Sequence, residues 1–170
     1  IDRAYSQYNM LINWRKSQLL HEYELFSDKE QLNILLKKLL DTQNFPFSYW
    51  VNQEIEKIRN QENTPIDFFP DFLHRGFYYE QLERYYQFFP VENILVIEHR
   101  ELKNNRISTL RKIEQFLNIS YVDWNTINLD DKFVSQYNVK LPSDIRNKLK
   151  AFFKPYNEKF YKLIKRNFDW

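Results

Sequence analysis

Apolar residues recur at every third or fourth position along most of the chain, a spacing typical of helices with one buried face. Local signals mark several helix ends: Ser27 with Glu30 forms a capping box, Pro46 precedes one helix and Pro90 ends another. Pro155 is expected to break the pattern near the end of the chain, because proline lacks the backbone N–H that a helix interior needs. The predicted helices cover residues 3–20, 27–40, 48–58, 78–89, 108–117, 143–153 and 158–167, and a loop covers 60–65.

One short segment departs from the helical pattern. Residues 94–97 form a β-branched apolar run, which is typical of a strand buried on both faces. A strand needs a neighbour for its backbone hydrogen bonds, and the pattern gives this strand, at about residues 93–98, no clear partner within the chain. We therefore expect an α/β fold that is mostly α-helical and has an incomplete sheet. We also expect residues 1–170 to be a single domain that lacks its N-terminal part.

The composition excludes several kinds of chemistry within these residues. The chain has no cysteine, which rules out disulfides, thiolate metal ligands and cysteine nucleophiles. It has one glycine, so it carries no glycine-rich phosphate loop. Its three histidines are far apart in sequence, and we expect no metal site. No run of about 18 apolar residues is present and no signal peptide opens the chain, so we expect no membrane span.

The positive charge of the chain is concentrated towards its C-terminus. From Lys140 onward nine Lys or Arg residues stand against three acidic residues, a net charge of +6, whereas the whole chain carries +2. A basic segment suggests an anionic partner, but the solvated faces of two helices have the same composition. Charge alone does not decide between these two interpretations.

Several sequence blocks, taken in order, resemble sulfotransferases that use 3'-phosphoadenosine-5'-phosphosulfate (PAPS). The opening segment Asp2-Arg3-Ala4-Tyr5-Ser6-Gln7-Tyr8 is similar to the family's 3'-phosphate-binding segment, in which x-x-Arg-Ala-x-Ser-x-Tyr opens a helix. The other blocks are Arg75-Gly76-Phe77-Tyr78, Phe89-Pro90, Ile94-Leu95-Val96 with Glu101-Leu102, Phe116-Leu117-Asn118-Ile119, Phe153-Lys154-Pro155-Tyr156-Asn157 and Phe168-Asp169-Trp170. On these blocks the chain resembles the C-terminal two-thirds of a bacterial or heparan-sulfate-type sulfotransferase domain.

The resemblance implies a P-loop-like, three-layer α/β fold built on a parallel sheet. In this family the phosphosulfate-binding loop and the catalytic carboxylate lie in the N-terminal third, which would stand upstream of residue 1. The resemblance therefore implies PAPS as sulfate donor, adenosine 3',5'-bisphosphate (PAP) as product, no metal, and no catalytic residue within this chain. It also implies that the chain by itself is inactive, and it accounts for the scarcity of glycine and the single strand.

Three residues are candidates for cofactor binding. A helix that begins near Asp2 offers unpaired backbone N–H groups and the positive end of its dipole to a phosphate, and by resemblance Ser6 adds a hydroxyl to that site. Arg3 either adds charge there or forms a structural ion pair. Lys132 lies in a stretch that corresponds to a nucleotide-covering loop of some family members, although that loop contains a glycine and residues 131–137 contain none.

Three further residues are candidates for the acceptor cleft. The resemblance places the segment of Arg75, Gly76 and Tyr78 near the cofactor or the acceptor. Each also has an ordinary structural interpretation, as a surface cation, a turn residue and a core aromatic residue respectively.

Two other groups of titratable residues are interpreted as structural. His74 suggests acid–base chemistry, but the sequence shows no carboxylate that pairs with it. Glu54 and Glu56 are interpreted as solvated surface, because residues two apart on a helix do not face one another.

Together these observations predict a soluble sulfotransferase that transfers a sulfuryl group from PAPS to a hydroxyl or amine of a small-molecule or glycan acceptor. We expect a bacterial-type, cytoplasmic enzyme with no nucleic-acid partner. Two alternatives stay open: a non-enzymatic helical module that binds nucleic acid or another polyanion through its basic C-terminal helices, and a degenerate family member kept as an interaction domain. Polyanion binding would depend steeply on salt, whereas a sulfotransferase would prefer a 3'-phosphorylated adenosine.

Overall fold

The computed structural model describes residues 1–13, 34, 37–60, 71–130, 140–168 and 170. The α-helices given bounds within these ranges are α1 (Asp2–Asn13), α2 (Phe47–Arg59), α3 (Tyr78–Tyr86), α4 (His99–Asn104), α5 (Arg106–Leu117) and α6 (Ser143–Ile164), with 3-10 turns at His74–Gly76, Val91–Asn93 and Trp124–Thr126. The chain divides into two compact units, Ile1–Tyr78 with Tyr137–Asn157 and Tyr79–Gln136 with Glu158–Trp170. A single domain over residues 1–170 stays a prediction.

The first unit is built around side chains from α1, α2, the segment 71–78 and the first part of α6. Val51, Leu73 and Leu149 lie at its centre with 0% of their surface exposed. The rest of this core consists of Ala4, Tyr8, Leu11, Leu39, Phe47, Trp50, Ile55, Phe72, Phe77, Leu141, Ile145 and Phe153. Burial of each large apolar side chain contributes about 1.5–3 kcal/mol, so this cluster is what holds the segment 71–78 against the helices.

Helix α2 shows why helical spacing predicted several elements correctly. Its buried residues recur at intervals of one, three or four positions and lie on one face: Phe47, Trp50, Val51, Glu54 and Ile55. Pro46 precedes its first turn, and Lys57 and Arg59 in the last turn complement the negative end of the helix dipole. The helix predicted at 48–58 is confirmed.

The second unit has a smaller core, in which Leu82 of α3 packs with Phe160 and Phe168. The second unit also contains a buried carboxylate, that of Glu114. Glu114 of α5 accepts a hydrogen bond from Trp124 Nε1 at 2.8 Å, which fastens the 3-10 turn after α5 to that helix.

The prediction that Pro155 ends a helix is wrong. Helix α6 runs from Ser143 to Ile164 with Pro155 inside it. A proline in a helix interior removes one backbone hydrogen bond and costs about 3 kcal/mol or more. Phe153 before the proline and Phe160 after it are both buried, and burial of two such aromatic side chains is large enough to offset that cost.

The α/β prediction, with a strand at about residues 93–98, is also wrong. The described part of the chain contains no β-strand; a 3-10 turn at Val91–Asn93 is followed by extended backbone at Ile94 and then by α4. Leu95 is exposed rather than buried. The run has the composition of a strand, but a strand is defined by hydrogen bonds to a neighbour, and no described segment pairs with it.

The other helix predictions are met with small shifts. Helix α1 begins one residue earlier than predicted, α3 ends three residues earlier, and α5 begins two residues earlier, while α4 was not predicted. Residues 14–20 of the first predicted helix, most of the helix at 27–40 and residues 61–65 of the predicted loop lie outside the described residues. In the described ranges, no helix has both the length and the apolar character needed to cross a membrane.

Candidate functional site

Arg3 and Ser6 lie three residues apart on one side of α1. The helix begins at Asp2, as the phosphate-site prediction requires, and its other side is buried through residues that include Tyr8 and Leu11. Arg3 is exposed and Ser6 is half-buried. Helix α1 is thus held by its apolar face, and a guanidinium and a hydroxyl lie near its positive end. Phosphate binding by these residues stays a prediction.

A second cation lies at the same end of α1. Arg146, in the first turn of α6, donates hydrogen bonds to both carboxylate oxygens of Asp2, at 2.5 and 3.2 Å. These bonds lower the pKa of Asp2 below its usual value. Sequence spacing could not indicate this pair, because the two residues are 144 positions apart. The beginning of α1 therefore carries Arg146 as well as Arg3.

The three acceptor-cleft candidates lie on one short segment. Arg75 and Gly76 belong to a 3-10 turn, and Tyr78 is the first residue of α3. Arg75 is exposed, and 46% of the surface of Tyr78 is exposed, so Tyr78 is not a core residue. Gly76 is more than a turn residue: a Cβ atom there would lie 2.7 and 2.9 Å from two ring carbons of Phe153. Only glycine therefore allows this turn to approach α6 so closely.

The two groups of candidates belong to the same unit and share its core. Tyr8, two residues after Ser6, packs its ring against that of Phe72 with a centroid distance of 5.9 Å. Both rings also contact Phe47, at 5.1 and 5.8 Å. The segment 71–78 is therefore packed directly against α1.

A buried carboxylate fixes the backbone just before Arg75. Glu54 of α2 is 5% exposed. Its oxygens accept hydrogen bonds from three consecutive backbone N–H groups, those of Phe72 (3.2 Å), Leu73 (2.7 Å) and His74 (3.1 Å). Burial raises the pKa of Glu54 to about 8, and a hydrogen bond with the neighbouring Asp71 carboxyl adds to the rise. The interpretation of Glu54 as solvated surface is wrong.

We expect Glu54 to make the free energy of unfolding fall as the pH rises. Its pKa is raised from 4.5 in the unfolded chain to about 8 in the folded protein, so the folded state binds this proton more tightly. The stabilising contribution is complete below the unfolded pKa and is lost as the pH rises through the folded pKa. When the free energy of unfolding is measured in urea at about pH 5 and about pH 8.5, it should fall less between the two pH values for Glu54→Gln than for the wild-type protein. Equal losses in the two proteins would contradict the raised pKa.

Glu54, Asp71 and His74 form a group that sequence analysis did not recognise. Glu54 falls on the apolar face of α2 together with Val51 and Ile55, and a charged residue at such a position is buried only when it has partners. The position of Glu54 on the apolar face of α2 was the feature of the sequence that could have indicated its burial. Asp71 Oδ2 lies 3.3 Å from His74 Nδ1. His74 therefore has the carboxylate partner that the sequence did not reveal.

The remaining candidate, Lys132, lies outside the described residues, so its contact with the cofactor stays a prediction. Within the described ranges, no group of three or more His, Asp or Glu side chains could hold a metal ion. The structure thus places Arg3 and Ser6 on α1, and it places Arg75, Gly76 and Tyr78 on the 3-10 turn and the first residue of α3.

Comparisons with known proteins agree on one family. The model of the sulfotransferase domain family matches residues 2–129. The membrane-associated sulfotransferase kil1 of Dictyostelium discoideum is 33% identical over 98 residues, which is 58% of this chain and 20% of that protein. Human heparan sulfate glucosamine 3-O-sulfotransferase 5 is 25% identical over 112 residues, which is 55% of this chain and 32% of that protein. No solved structure matches the chain at a significant level.

Because the family model covers about three quarters of the chain, this protein belongs to the sulfotransferase domain family. The resemblance that begins at the segment of Arg3 and Ser6 is thereby confirmed. The chain spans about a fifth and about a third of the lengths of the two relatives.

Proposed function

We propose that this chain is part of an enzyme that transfers a sulfuryl group from PAPS to a hydroxyl or amine of a small-molecule or glycan acceptor. The observation that carries the proposal is the family match over residues 2–129. One relative is named as a heparan sulfate glucosamine 3-O-sulfotransferase, which supports a glycan among the acceptor classes.

Helix α1 supplies part of the 3'-phosphate site in this proposal. A phosphate at the start of a helix gains backbone N–H donors and the positive end of the helix dipole. Ser6 adds a hydroxyl donor, and Arg3 adds positive charge at the same end of α1, where the charge of Arg146 is paired with Asp2. The binding energy would come from several groups that the core of the first unit holds in fixed positions.

The segment that carries Arg75 and Tyr78 forms one wall of the acceptor cleft. Sulfuryl transfer requires the acceptor to be held in line with the donor and the charge on the transferring group to be stabilised. Both side chains are exposed, and the backbone before them is fixed by the buried Glu54. A fixed backbone with exposed polar side chains is suited to holding an acceptor in one orientation.

The contacts of the basic C-terminal residues do not favour the alternative of a polyanion-binding module. Arg146 is bound to Asp2, and Arg166 donates to both oxygens of Glu101 at 2.5 and 3.0 Å. The pKa of Glu101 is lowered to about 2, first of all by this hydrogen bonding. Two of the nine Lys and Arg residues in this segment are thus engaged with carboxylates of the protein, and the family match favours a transferase.

The cytoplasmic location of the full-length enzyme is a proposal from the sequence alone. One relative is named as membrane-associated. Fractionation of cells that express the full-length protein tests the proposal, which predicts recovery without detergent in the soluble fraction.

We expect this chain to bind PAP saturably and Ser6→Ala to weaken that binding about tenfold. A hydrogen bond to a charged group contributes about 1.5–3 kcal/mol, and about 1.4 kcal/mol corresponds to a factor of ten in affinity. Isothermal titration calorimetry of the wild-type chain and the variant with PAP measures the difference. Adenosine 5'-phosphate, which lacks the 3'-phosphate, should bind both proteins weakly and equally.

The matched control is Ser120→Ala, because Ser120 is exposed in the loop after α5. It should bind PAP as the wild-type chain does. Equal binding by the wild-type chain and Ser6→Ala would remove Ser6 from the phosphate site. Absence of binding by either protein would show that α1 does not form a phosphate site in this chain.

A further inference from the structure

Tyr121, in the loop after α5, exposes one face of its ring to solvent. Of its surface, 77% is exposed. The guanidinium of Arg111 lies over the ring, with its Cζ atom 3.3 Å from the ring centroid. A guanidinium in this position covers one of the two ring faces. The exposed surface of Tyr121 therefore includes the other face.

The guanidinium that supports this ring is itself held in place. Arg111 Nη1 donates to both carboxylate oxygens of Glu114, at 2.7 and 3.0 Å, and to the backbone oxygen of Val122 at 2.6 Å. Glu114 is 5% exposed and also accepts hydrogen bonds from the backbone N–H of Val122 at 2.9 Å and from Trp124 Nε1 at 2.8 Å. One buried carboxylate thus fixes both the cation that lies over Tyr121 and the backbone that follows it. We call Tyr121, Arg111 and Glu114 the aromatic platform.

A fixed aromatic ring with an open face is suited to bind a ligand. An exposed side chain normally keeps its rotamer freedom, and the loss of that freedom on binding weakens the affinity for a ligand. In the aromatic platform the folded protein already restricts the ring of Tyr121. A rigid tyrosine offers a large contact area with little further loss of entropy.

The residues next to Tyr121 in the loop indicate which ligand fits. The face of an aromatic ring carries partial negative charge and attracts polarised C–H bonds. Ser120 and Asp123 are exposed and offer hydrogen-bonding groups for hydroxyls. A pyranose ring has an apolar C–H face and a rim of hydroxyls, so it matches an aromatic face with polar groups close to it. A purely apolar ligand would leave these polar groups without partners.

We propose that the aromatic platform is a glycan-binding subsite in which Tyr121 stacks on a sugar ring, and that Arg111 and Glu114 are the positioning residues that hold the tyrosine. This inference rests on the proposed sulfotransferase function, which includes a glycan among its acceptor classes. The aromatic platform belongs to the second unit, whereas the acceptor-cleft candidates Arg75 and Gly76 belong to the first. In this proposal Tyr121 binds a sugar other than the one that receives the sulfuryl group.

Isothermal titration calorimetry of the full-length protein with a heparan sulfate octasaccharide tests the proposal. We expect Tyr121→Ala to weaken binding about fivefold, which is within the range of a single aromatic contact. Tyr121→Phe should bind as the wild-type protein does, because stacking does not need the hydroxyl. The factor lost in Tyr121→Ala should be the same in about 0.05 M and about 0.5 M NaCl, since salt screens charges and not stacking.

The matched control is Tyr85→Ala. Tyr85 is 59% exposed on α3 and has no part in the proposal. This variant should bind the octasaccharide as the wild-type protein does. Weaker binding by Tyr85→Ala than by Tyr121→Ala would overturn the assignment of the subsite to Tyr121.

Arg111→Lys tests the positioning role. Lysine keeps the positive charge but lacks the planar group that stacks on the ring. We expect octasaccharide binding to weaken about threefold in this variant. Proton NMR of the octasaccharide supplies a readout that a merely structural role would not move. Sugar protons over the ring should shift upfield with the wild-type protein, less with Arg111→Lys and not at all with Tyr121→Ala.

Two results would overturn the proposal: equal binding by the wild-type protein and Tyr121→Ala, or no octasaccharide binding by the wild-type protein. Transfer from PAPS to a simple phenol or to the octasaccharide, measured on the same preparations, tests the proposed function separately. Phenol sulfation without octasaccharide binding would remove the subsite and leave the enzyme. Octasaccharide binding that depends on Tyr121, without any sulfation, would support the subsite and remove the enzyme.

Discussion

Glu54→Ala should destabilise the folded protein by about 3–5 kcal/mol. The substitution leaves the backbone N–H groups of Phe72 and Leu73 without their acceptor, and leaves that of His74 with Asp71 Oδ1 alone. Each buried donor left unpaired costs about 1–3 kcal/mol, and part of that cost is recovered if water enters the space. The better helix propensity of alanine returns only a few tenths of a kcal/mol. For a chain of this size such a loss corresponds to a fall in Tm of about 10 °C or more. Thermal and urea unfolding of the wild-type chain and the variant measure it.

Two variants make this result interpretable. Glu56→Ala is the matched control, because Glu56 lies on the exposed side of the same helix and should change stability by less than about 0.5 kcal/mol. Glu54→Gln retains one oxygen that can accept from Leu73 and His74, so it should cost clearly less than Glu54→Ala. A loss below about 1 kcal/mol for Glu54→Ala would show that water replaces the carboxylate and that Glu54 does not hold the segment 71–76.

The fold could be predicted from the sequence wherever local spacing decides the structure. The helix Phe47–Arg59 was found because its apolar residues repeat at helical intervals and Pro46 marks its start. The prediction of a strand at about 93–98 was wrong because a strand depends on hydrogen bonds to a neighbouring segment, and the composition of the run does not provide that neighbour. The prediction that Pro155 ends a helix was wrong for a related reason, because the burial of Phe153 and Phe160 in the folded protein overrides the local preference of proline.

The same distinction between local and distant contacts applies to the residues of the candidate site. Ser6 and Gly76 were predicted as site residues because each belongs to a contiguous block that resembles the family, and their roles stay predictions. Glu54 was missed because its partners stand 18 to 20 positions further along the chain, and only the folded structure brings them together. Its place on the apolar face of α2 was a usable signal, since a lone carboxylate there must find hydrogen-bond donors to be buried. Nothing in the sequence indicated the contact of Arg146 with Asp2, because the two residues are 144 positions apart.

Gly76→Ala should destabilise the protein by about 1–3 kcal/mol through a direct clash. The added Cβ would lie 2.7 Å from one ring carbon of Phe153 and 2.9 Å from another. That ring cannot easily move aside, because it is 7% exposed and packs against Phe77 and Phe152, at centroid distances of 5.9 and 5.2 Å. The backbone of Gly76 does not have a positive φ, so alanine brings no backbone strain of its own. Thermal and urea unfolding of the variant give the loss directly.

A double-mutant cycle with Phe153→Leu tests whether the clash is the cause. Leucine is shorter than phenylalanine and removes the ring carbons that the Cβ would meet, so Gly76→Ala should become neutral, or stabilising by about 0.4–1 kcal/mol through the lower entropy of the unfolded chain. An equal loss in both backgrounds would mean that the glycine is required for a reason other than its approach to Phe153. If the clash is the cause, its effect on function should be local. Arg75 precedes Gly76 and Tyr78 follows it two residues later, whereas Ser6 lies on α1; if this turn forms a wall of the acceptor cleft as proposed, its displacement should weaken acceptor binding and leave PAP binding unchanged.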